Sequence, residues 1–217
     1  MVKLHHLVEL GQTKWLRIQS NHDAGINDCW VHSHQESCPP KEFEKTFNLL
    51  KHNFEKVFAK KNSSNFGLMV NSGSSANLLM VAAACNPMRK NNLKRNDEVI
   101  IPAVCWSTSL WPLIQHGLKP VFVDIDVNTL NMNIQDLKNK ITKKTKAIMC
   151  VHVLGLSTDM SEILKIVKKN KLILFEDTCE SLGSKFKNKK LGNFGDFGSY
   201  SFYYSRISEI QSRLKMT

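Results

Sequence analysis

Long apolar runs and paired cysteines are both missing from this sequence of 217 residues. No stretch approaches the roughly 20 consecutive apolar residues that a membrane helix needs. The opening residues, MVKLHHLVEL, contain no apolar stretch typical of a secretory leader. The six cysteines include no C-x-x-C pair. We therefore predict a soluble protein without a membrane segment, with reduced thiols and a cytoplasmic location.

Acidic residues are scarce, since 19 Asp and Glu stand against 30 Lys and Arg, and the formal net charge is +11. Such a charge favours a nucleic acid or an anionic small ligand, or reflects a lysine-rich solvated surface. The lysines are scattered through amphipathic segments and are not interleaved with aromatic residues along one stripe. We therefore predict no nucleic-acid partner, whereas a phosphorylated or nucleotide-linked ligand fits the charge.

Residues 1–40 show no strong hydrophobic period, and we interpret them as an N-terminal arm. This segment holds two thiols and two imidazoles that could bind zinc, Cys29, His32, His34 and Cys38. Their H-x-H spacing within one short loop matches no common structural zinc pattern. We therefore predict no metal site and treat these side chains as ordinary loop residues.

From residue 41 onward, short apolar runs alternate with amphipathic helical patterns. Pro39 and Pro40 introduce a helix whose apolar stripe we assign to the core; the stripe is Phe43, Phe47, Leu50, Phe54, Val57 and Phe58. Strands are predicted over 66–70, 98–102, 120–126, 146–152, 172–175 and 197–204, with a helix over 134–140 among those between them. This alternation predicts an α/β fold with a mainly parallel sheet covered by helices on both faces.

The segment NSGSSANLLMVAA directly follows the strand predicted over 66–70. Gly73 permits a tight turn, and Ser74 and Ser75 lie where the next helix begins. Backbone N–H groups and the helix dipole at such a place bind anions, phosphate above all. A serine-capped helix after a turn is the alternative interpretation.

Polar side chains follow other predicted strands at their carboxyl ends, where ligands bind in open α/β sheets. Glu176 and Asp177 follow one buried run, Trp106 follows another, and Ser201 lies within the run over 197–204. We expect Asp177 and Trp106 to face one cavity from the carboxyl ends of neighbouring strands. A carboxylate that binds a protonated pyridine nitrogen and a hydroxyl that binds a phosphate are what a pyridoxal phosphate site requires. His152 is either a ligand contact at a strand end or a satisfied buried histidine, and we favour the second.

Two further motifs have structural interpretations. Asp159 and Glu162 form a predicted capping box for a helix. The basic run KFKNKK over 185–190 is interpreted as a solvated hairpin tip, although a basic tip could also steer a phosphate ligand.

Three segments together resemble the DegT-type nucleotide-sugar aminotransferases, pyridoxal-phosphate enzymes with the aspartate-aminotransferase fold. They are NSGSSANLLMVAA, DEVIIPAVCWSTSLWPLIQHGLKPVFVDID, and FEDTCESLG followed by GDFGSYSFYYS. The resemblance covers residues 41–205 and implies a partial cofactor-binding large domain. It further implies that Ser74, Ser75 and Ser201 hold the cofactor phosphate, that Trp106 stacks on the pyridine ring, and that Asp177 binds the pyridine nitrogen.

Two features resemble the 4-keto-6-deoxyhexose 3-dehydratase branch, the segment CWSTSLWPLIQ and Glu180, where aminotransferases more often carry Gln or His. We also count Glu180 among the cofactor-binding residues. The dehydratases use pyridoxamine phosphate to remove a sugar 3-hydroxyl and have a histidine base in place of the Schiff-base lysine. The resemblance implies a nucleotide-linked keto-sugar as substrate and a homodimer. Amination of such a sugar by the same family stays an alternative.

The resemblance ends at Arg206, which stands where the family has lysine or histidine. A guanidinium stays protonated at any working pH, so it neither forms a Schiff base nor takes a proton. Residues 206–217, RISEIQSRLKMT, form a divergent tail, and we expect the small C-terminal domain of the family to be absent. A non-catalytic remnant that at most binds cofactor is therefore a further alternative.

Overall fold

The computed structural model describes residues 15–18, 29–32 and 40–202. The chain divides into two compact units, Met1–Ala59 and Lys60–Thr217. In the first unit, β1 (Trp15–Ile18) and β2 (Cys29–His32) pair antiparallel. His34 and Cys38 lie outside the described residues, so the absence of a metal from this segment stays a prediction, as does its role as an arm.

Helix α1 (Pro40–Asn62), most of which lies in the first unit, forms where the two prolines and the helical period predict it. Phe54 and Phe58 stack with their ring centroids 5.7 Å apart. Phe47 and Val57, however, are exposed. The expectation that the whole aromatic stripe is buried in the core is therefore wrong. The helical period gives α1 one apolar face but does not determine what covers that face.

The second unit alternates helices and strands. Its elements in chain order are α2 (Gly73–Cys85), β3 (Glu98–Pro102), α3 (Ser107–Gln115), β4 (Lys119–Val123), α4 (Ile134–Lys140), β5 (Thr145–Val151), α5 (Met160–Asn170), β6 (Ile173–Asp177), β7 (Lys185–Phe186), β8 (Lys189–Lys190) and β9 (Phe197–Ser199).

Five of these strands form one sheet in the order β4-β3-β5-β6-β9, and every neighbouring pair is parallel. Strands that are buried on both faces consist of continuous apolar runs, as β3 and β5 do. The predicted α/β class with a mainly parallel sheet is confirmed.

Helices cover the sheet on both sides, and strand residues alternate between the two cores. On β6, Ile173 and Phe175 pack towards α2 and α3, whereas Leu174 packs towards α4 and α5. We call these the α2/α3 face and the α4/α5 face. Because side chains alternate along a strand, the next two residues, Glu176 and Asp177, point to opposite faces.

Residues 66–70 are not a strand, contrary to the prediction. Phe66 is 92% exposed, and Leu68 is also exposed. A strand requires a hydrogen-bonded neighbour, and no strand within 40–202 pairs with this segment. The apolar run alone therefore did not suffice to predict its conformation.

The basic run over 185–190 is a hairpin, as predicted. Strands β7 and β8 pair antiparallel across Lys187 and Asn188, whose positive φ values of 46° and 66° are those of a type I′ turn. Asp159 caps α5 by accepting hydrogen bonds from the N–H groups of Ser161 and Glu162. The carboxylate of Glu162 instead binds the ammonium groups of Lys138 and Lys165, so the capping box has no reciprocal half.

Candidate functional site

Asp177 ends β6 on the α2/α3 face and is buried, with 4% of its surface exposed. Its Oδ2 accepts two hydrogen bonds of 2.7 Å, one from Nδ2 of Asn77 on α2 and one from Oγ of Ser109 on α3. Its Oδ1 accepts a bond of 3.0 Å from the backbone N–H of Cys179. Donors from three separate segments therefore orient this carboxylate.

Ser199, the last residue of β9, affects how much hydrogen-bond acceptor capacity the Asp177 carboxylate keeps for a ligand. Its hydroxyl lies 2.6 Å from Oδ1 of Asn77 and 3.4 Å from Oδ1 of Asp177. A serine hydroxyl has one proton to donate, and the shorter contact takes it. Oδ1 of Asp177 thus has one firm donor and keeps acceptor capacity, whereas Oδ2 has two short bonds.

The amino terminus of α2 lies beside this carboxylate. Ser72 caps the helix through its Oγ, which accepts from the N–H of Ser75 at 3.1 Å. A Cβ built on Gly73 would lie 2.8 Å from Sγ of Cys179 and 3.4 Å from Cβ of Ser201. Gly73 therefore brings the start of α2 close to the residues that follow β6 and β9. The N–H groups of Gly73 and Ser74 are in the first helical turn, where no intrahelical acceptor exists.

Trp106 precedes α3, and its carbonyl accepts the N–H of Ser109, the residue that binds Asp177. The indole is 60% exposed. We expected Trp106 and Asp177 to follow neighbouring strands, which is wrong because β5 lies between β3 and β6. Cys105, the residue before Trp106, is half-buried. Burial raises the pKa of its thiol, and the negative charge of Asp177 raises it further.

Glu180 lies three residues beyond Asp177 and is half-buried. Its Oε2 accepts the N–H of Leu154 at 3.4 Å, in the single 3₁₀ turn that follows β5. Leu154 has a positive φ of 50°, an uncommon conformation for a leucine. The carboxylate of Glu180 therefore contacts the loop after β5.

Glu176 points to the α4/α5 face and is fully buried. It binds the ring of His152, whose two nitrogens are both used: Nε2 lies 3.3 Å from Oε2 of Glu176, and Nδ1 accepts the N–H of Thr158 at 3.2 Å. His152 is thus a satisfied buried histidine, as favoured from the sequence.

The structure brings only some of the predicted site residues together. Asp177 binds Asn77 of α2, Ser201 lies against Gly73 at the start of the same helix, and Arg206 lies outside the described residues. Ser75 is partly buried and Ser74 is exposed, and their role as phosphate ligands stays a prediction. The same holds for Trp106 and Glu180 as cofactor contacts.

Three polar residues that contact Asp177 were missed in the sequence: Asn77, Ser109 and Ser199. Two of them left a signal in the sequence, since Asn77 interrupts an otherwise apolar helical run and Ser109 lies between Trp106 and Trp111. A polar residue on the buried face of a helix requires a partner.

The described ranges contain neither a metal-binding cluster nor a membrane-spanning helix. No group of three or more histidine, cysteine or acidic side chains is arranged there to bind a metal ion. No helix within those ranges is long and apolar enough to cross a bilayer.

Curated proteins similar to this chain include two enzymes named for GDP-linked sugars. The GDP-4-keto-6-deoxy-D-mannose 3-dehydratase of Escherichia coli O55:H7 is 50% identical over 152 residues, which cover 70% of this chain and 39% of that protein. The GDP-perosamine synthase of Escherichia coli O157:H7 is 38% identical over 150 residues, again 39% of that protein. The chain therefore spans about two fifths of the length of these relatives.

Solved structures of related enzymes resemble this chain as well. Escherichia coli GDP-4-keto-6-deoxy-D-mannose-3-dehydratase with bound hydrated PLP superposes with a TM-score of 0.69 at 42% identity, covering 79% of this chain and 46% of that one. The sequence profile of the DegT/DnrJ/EryC1/StrS aminotransferases matches residues 47–207. With the parallel sheet and the strand-end carboxylate in place, this chain belongs to the DegT/DnrJ/EryC1/StrS aminotransferase family.

Proposed function

We propose that the chain forms the cofactor-binding part of a pyridoxal- or pyridoxamine-phosphate enzyme that removes the 3-hydroxyl of a nucleotide-linked 4-keto-6-deoxyhexose. The observation that carries this proposal is Asp177, a buried carboxylate with acceptor capacity left on Oδ1. It lies next to a helix amino terminus whose first N–H groups lack intrahelical acceptors.

The described residues fit such a cofactor. Asp177 offers Oδ1 to a protonated pyridine nitrogen, and the ordered donors around it keep the carboxylate from turning away. The close packing of Gly73 against Ser201 leaves the start of α2 and a strand-end hydroxyl side by side, a suitable cradle for a phosphate. Trp106 is exposed, and an indole is a suitable surface for stacking on a planar ring.

When bound, pyridoxal or pyridoxamine phosphate supplies the electron sink that C–O bond cleavage beside a keto group requires. The contribution of this chain is binding and orientation. A buried carboxylate that pairs with the pyridine nitrogen keeps that nitrogen protonated, because leaving either charge unpaired in a buried site is costly. Arg206 stands at the position of the family base but cannot take a proton at working pH.

Dehydration is preferred over amination because relatives named as 3-dehydratases share 50% and 47% of their aligned residues with this chain, against 38% for a GDP-perosamine synthase. Amination of a nucleotide-linked keto-sugar is the second candidate. The third is a non-catalytic form that binds cofactor without turnover, which Arg206 favours. We further propose a homodimer, as the family resemblance implies, and a cytoplasmic location, in keeping with the reduced thiols of Cys85, Cys105 and Cys150.

Cofactor titration followed by product analysis tests the proposal. We expect the purified chain to change the absorbance of pyridoxal phosphate saturably, with no borohydride-stable adduct on any lysine. The loaded protein is then given GDP-4-keto-6-deoxymannose with pyridoxamine phosphate, or with glutamate as amino donor. Binding without product identifies the non-catalytic form, 3-deoxy product the dehydratase, and amino-sugar the aminotransferase. A chain that takes up no cofactor contradicts the proposal.

A further inference from the structure

Glu176 is saturated with hydrogen bonds from one short loop. Its Oε1 accepts the backbone N–H groups of Phe194 at 2.6 Å and Gly195 at 2.7 Å. Its Oε2 accepts the N–H of Gly192 at 2.8 Å and faces Nε2 of His152 at 3.3 Å. A carboxylate has about four lone-pair sites, so these partners leave none for a ligand. Glu176 therefore binds only groups of the protein itself and does not bind substrate or cofactor.

His152 completes this arrangement in a defined tautomer. Because Nδ1 accepts the N–H of Thr158, it carries no proton in the neutral ring, and Nε2 then donates to Glu176. The backbone of His152 is also fixed, since its carbonyl accepts the hydroxyl of Ser181 at 2.6 Å. Glu176 therefore connects the end of β5 to the loop over 192–195.

That loop packs directly against β9. A Cβ on Gly192 would overlap the ring of Tyr200, whose hydroxyl donates to the carbonyl of Leu191 at 3.1 Å. A Cβ on Gly198 would overlap the carbonyl of Gly192. Backbone contacts this close leave no room for the loop to shift without moving β9.

Strand β9 and the residues directly after it reach the candidate site. Ser199 binds Asn77 and faces Asp177, and Ser201 lies against Gly73 at the start of α2. The carbonyl of Ser199 accepts the N–H and the hydroxyl of Thr178. The position of β9 therefore sets both the partner of Asp177 and the hydroxyl beside the helix amino terminus.

We infer that Glu176 is a positioning residue that fixes the loop over 192–195 and, through it, places Ser199 and Ser201 in the cofactor site. Glu176 touches neither cofactor nor substrate in this role. The inference rests on the proposed function, because it assigns to Ser201 the phosphate end of the cofactor.

Glu176→Gln is the variant that tests the loop. Glutamine has the same shape but one acceptor oxygen, so it cannot bind Gly192 on one side and Phe194 with Gly195 on the other. We expect hydrogen exchange at these amides, and at the amides of Ser199 to Ser201, to accelerate at least about tenfold relative to the rest of the sheet. Glu98→Gln is the matched control, since Glu98 is a buried strand glutamate at the opposite end of the sheet, bound to Thr142 and Lys119.

Ligand titration tests the consequence for the site. Pyridoxal phosphate and pyridoxal share the ring, but pyridoxal lacks the phosphate. We expect Glu176→Gln to weaken binding of pyridoxal phosphate about tenfold and that of pyridoxal clearly less, because the phosphate end depends on Ser201. At the ring end, Asp177 keeps its donors from α2, α3 and the Cys179 backbone when Ser199 shifts. Glu98→Gln should change neither.

The outcomes separate this inference from the proposed function. Wild-type chain that binds no pyridoxal phosphate contradicts the proposed function. Unchanged exchange at Gly192, Phe194 and Gly195 in Glu176→Gln contradicts, independently of cofactor binding, the inference that Glu176 fixes the loop over 192–195. Faster exchange with unchanged pyridoxal phosphate affinity overturns the positioning role. Equal weakening of pyridoxal and pyridoxal phosphate overturns it as well, since the effect would not be at the phosphate end.

Discussion

Asp177 and Glu176 are neighbours on one strand, both acidic and both buried, but their surroundings differ. Asp177 is bound by side-chain donors from α2 and α3 and keeps acceptor capacity on Oδ1. Glu176 is bound by three backbone N–H groups and a histidine and keeps none. The first carboxylate is available to a ligand, whereas the second is part of the framework.

The difference shows that burial and position at a strand end do not identify a ligand-binding carboxylate by themselves. What distinguishes the two is the count of lone pairs that the protein already uses. Backbone N–H groups cannot turn away without moving the chain, so they commit a carboxylate permanently. Hydroxyl and amide side chains can orient a carboxylate and still leave an oxygen open.

The largest expected effect is on stability, and it compares truncation at the two positions. Glu176→Ala leaves three buried N–H groups and His152 without an acceptor, and we expect it to lower the free energy of unfolding by about 3–5 kcal/mol. Asp177→Ala leaves two side-chain donors and a single backbone N–H, that of Cys179, without this acceptor. The hydroxyl of Ser109 can rotate to another partner, and we expect a loss of about 1–2 kcal/mol. Urea unfolding followed by circular dichroism measures both. Equal losses would remove the distinction between the two carboxylates.

The next effect is on cofactor affinity. Here we expect the larger change from substitution of Asp177, whereas the larger loss of stability is expected from substitution of Glu176. Asp177→Asn removes the charge that we propose faces the pyridine nitrogen, while keeping the shape of the side chain. A hydrogen bond to a charged group is worth about 1.5–3 kcal/mol, so we expect the dissociation constant of pyridoxal phosphate to rise roughly tenfold to a hundredfold.

Asp159→Asn is the control for that titration, because Asp159 caps α5 and asparagine caps a helix equally well. Its affinity for pyridoxal phosphate should match that of the wild type. An Asp177→Asn variant with unchanged affinity would show that Asp177 does not bind the pyridine nitrogen.

Much of the sheet could be predicted from the sequence, because parallel strands are apolar throughout and helices have a clear period. Strand β3 and helix α4 begin and end at the predicted residues. Strand β9 ends at Ser199 instead of running on through Ser201, so the prediction of its length was wrong. The apolar run over 66–70 shows the limit of such reasoning, since a strand also depends on a neighbour that the local sequence does not specify.

The candidate site was predictable only in part. Placing Asp177 at a strand end requires nothing but the order of strands and helices. The contacts of Asn77, Ser109 and Ser199 depend on three elements that are far apart in sequence and meet only after folding. The alternation of a strand predicts that Glu176 and Asp177 face opposite sides, but not which donors each one meets.

The smallest expected effect is on cysteine reactivity. Cys105 and Cys150 report the charges of Asp177 and Glu176, respectively. Burial raises the pKa of Cys105 and Asp177 raises it further, whereas burial and Glu176 raise that of Cys150. Neutralising Asp177 should therefore lower the pKa of Cys105 partway. Because the thiolate is the nucleophile, alkylation of Cys105 at fixed pH should become faster.

Iodoacetamide labelling at pH 8.5, with the modified peptides quantified by mass spectrometry, measures this effect. Asp177→Asn should accelerate labelling of Cys105 by less than about tenfold, the change that one full pKa unit would give, because burial is the larger cause and persists. Glu176→Gln should leave the Cys105 rate unchanged, since Glu176 does not contribute to its pKa. Cys150 is fully buried and should stay unlabelled in every folded variant. Equal acceleration by both variants would mean that Cys105 reports loosening of the fold, and the two carboxylates would then not act separately on the two faces of the sheet.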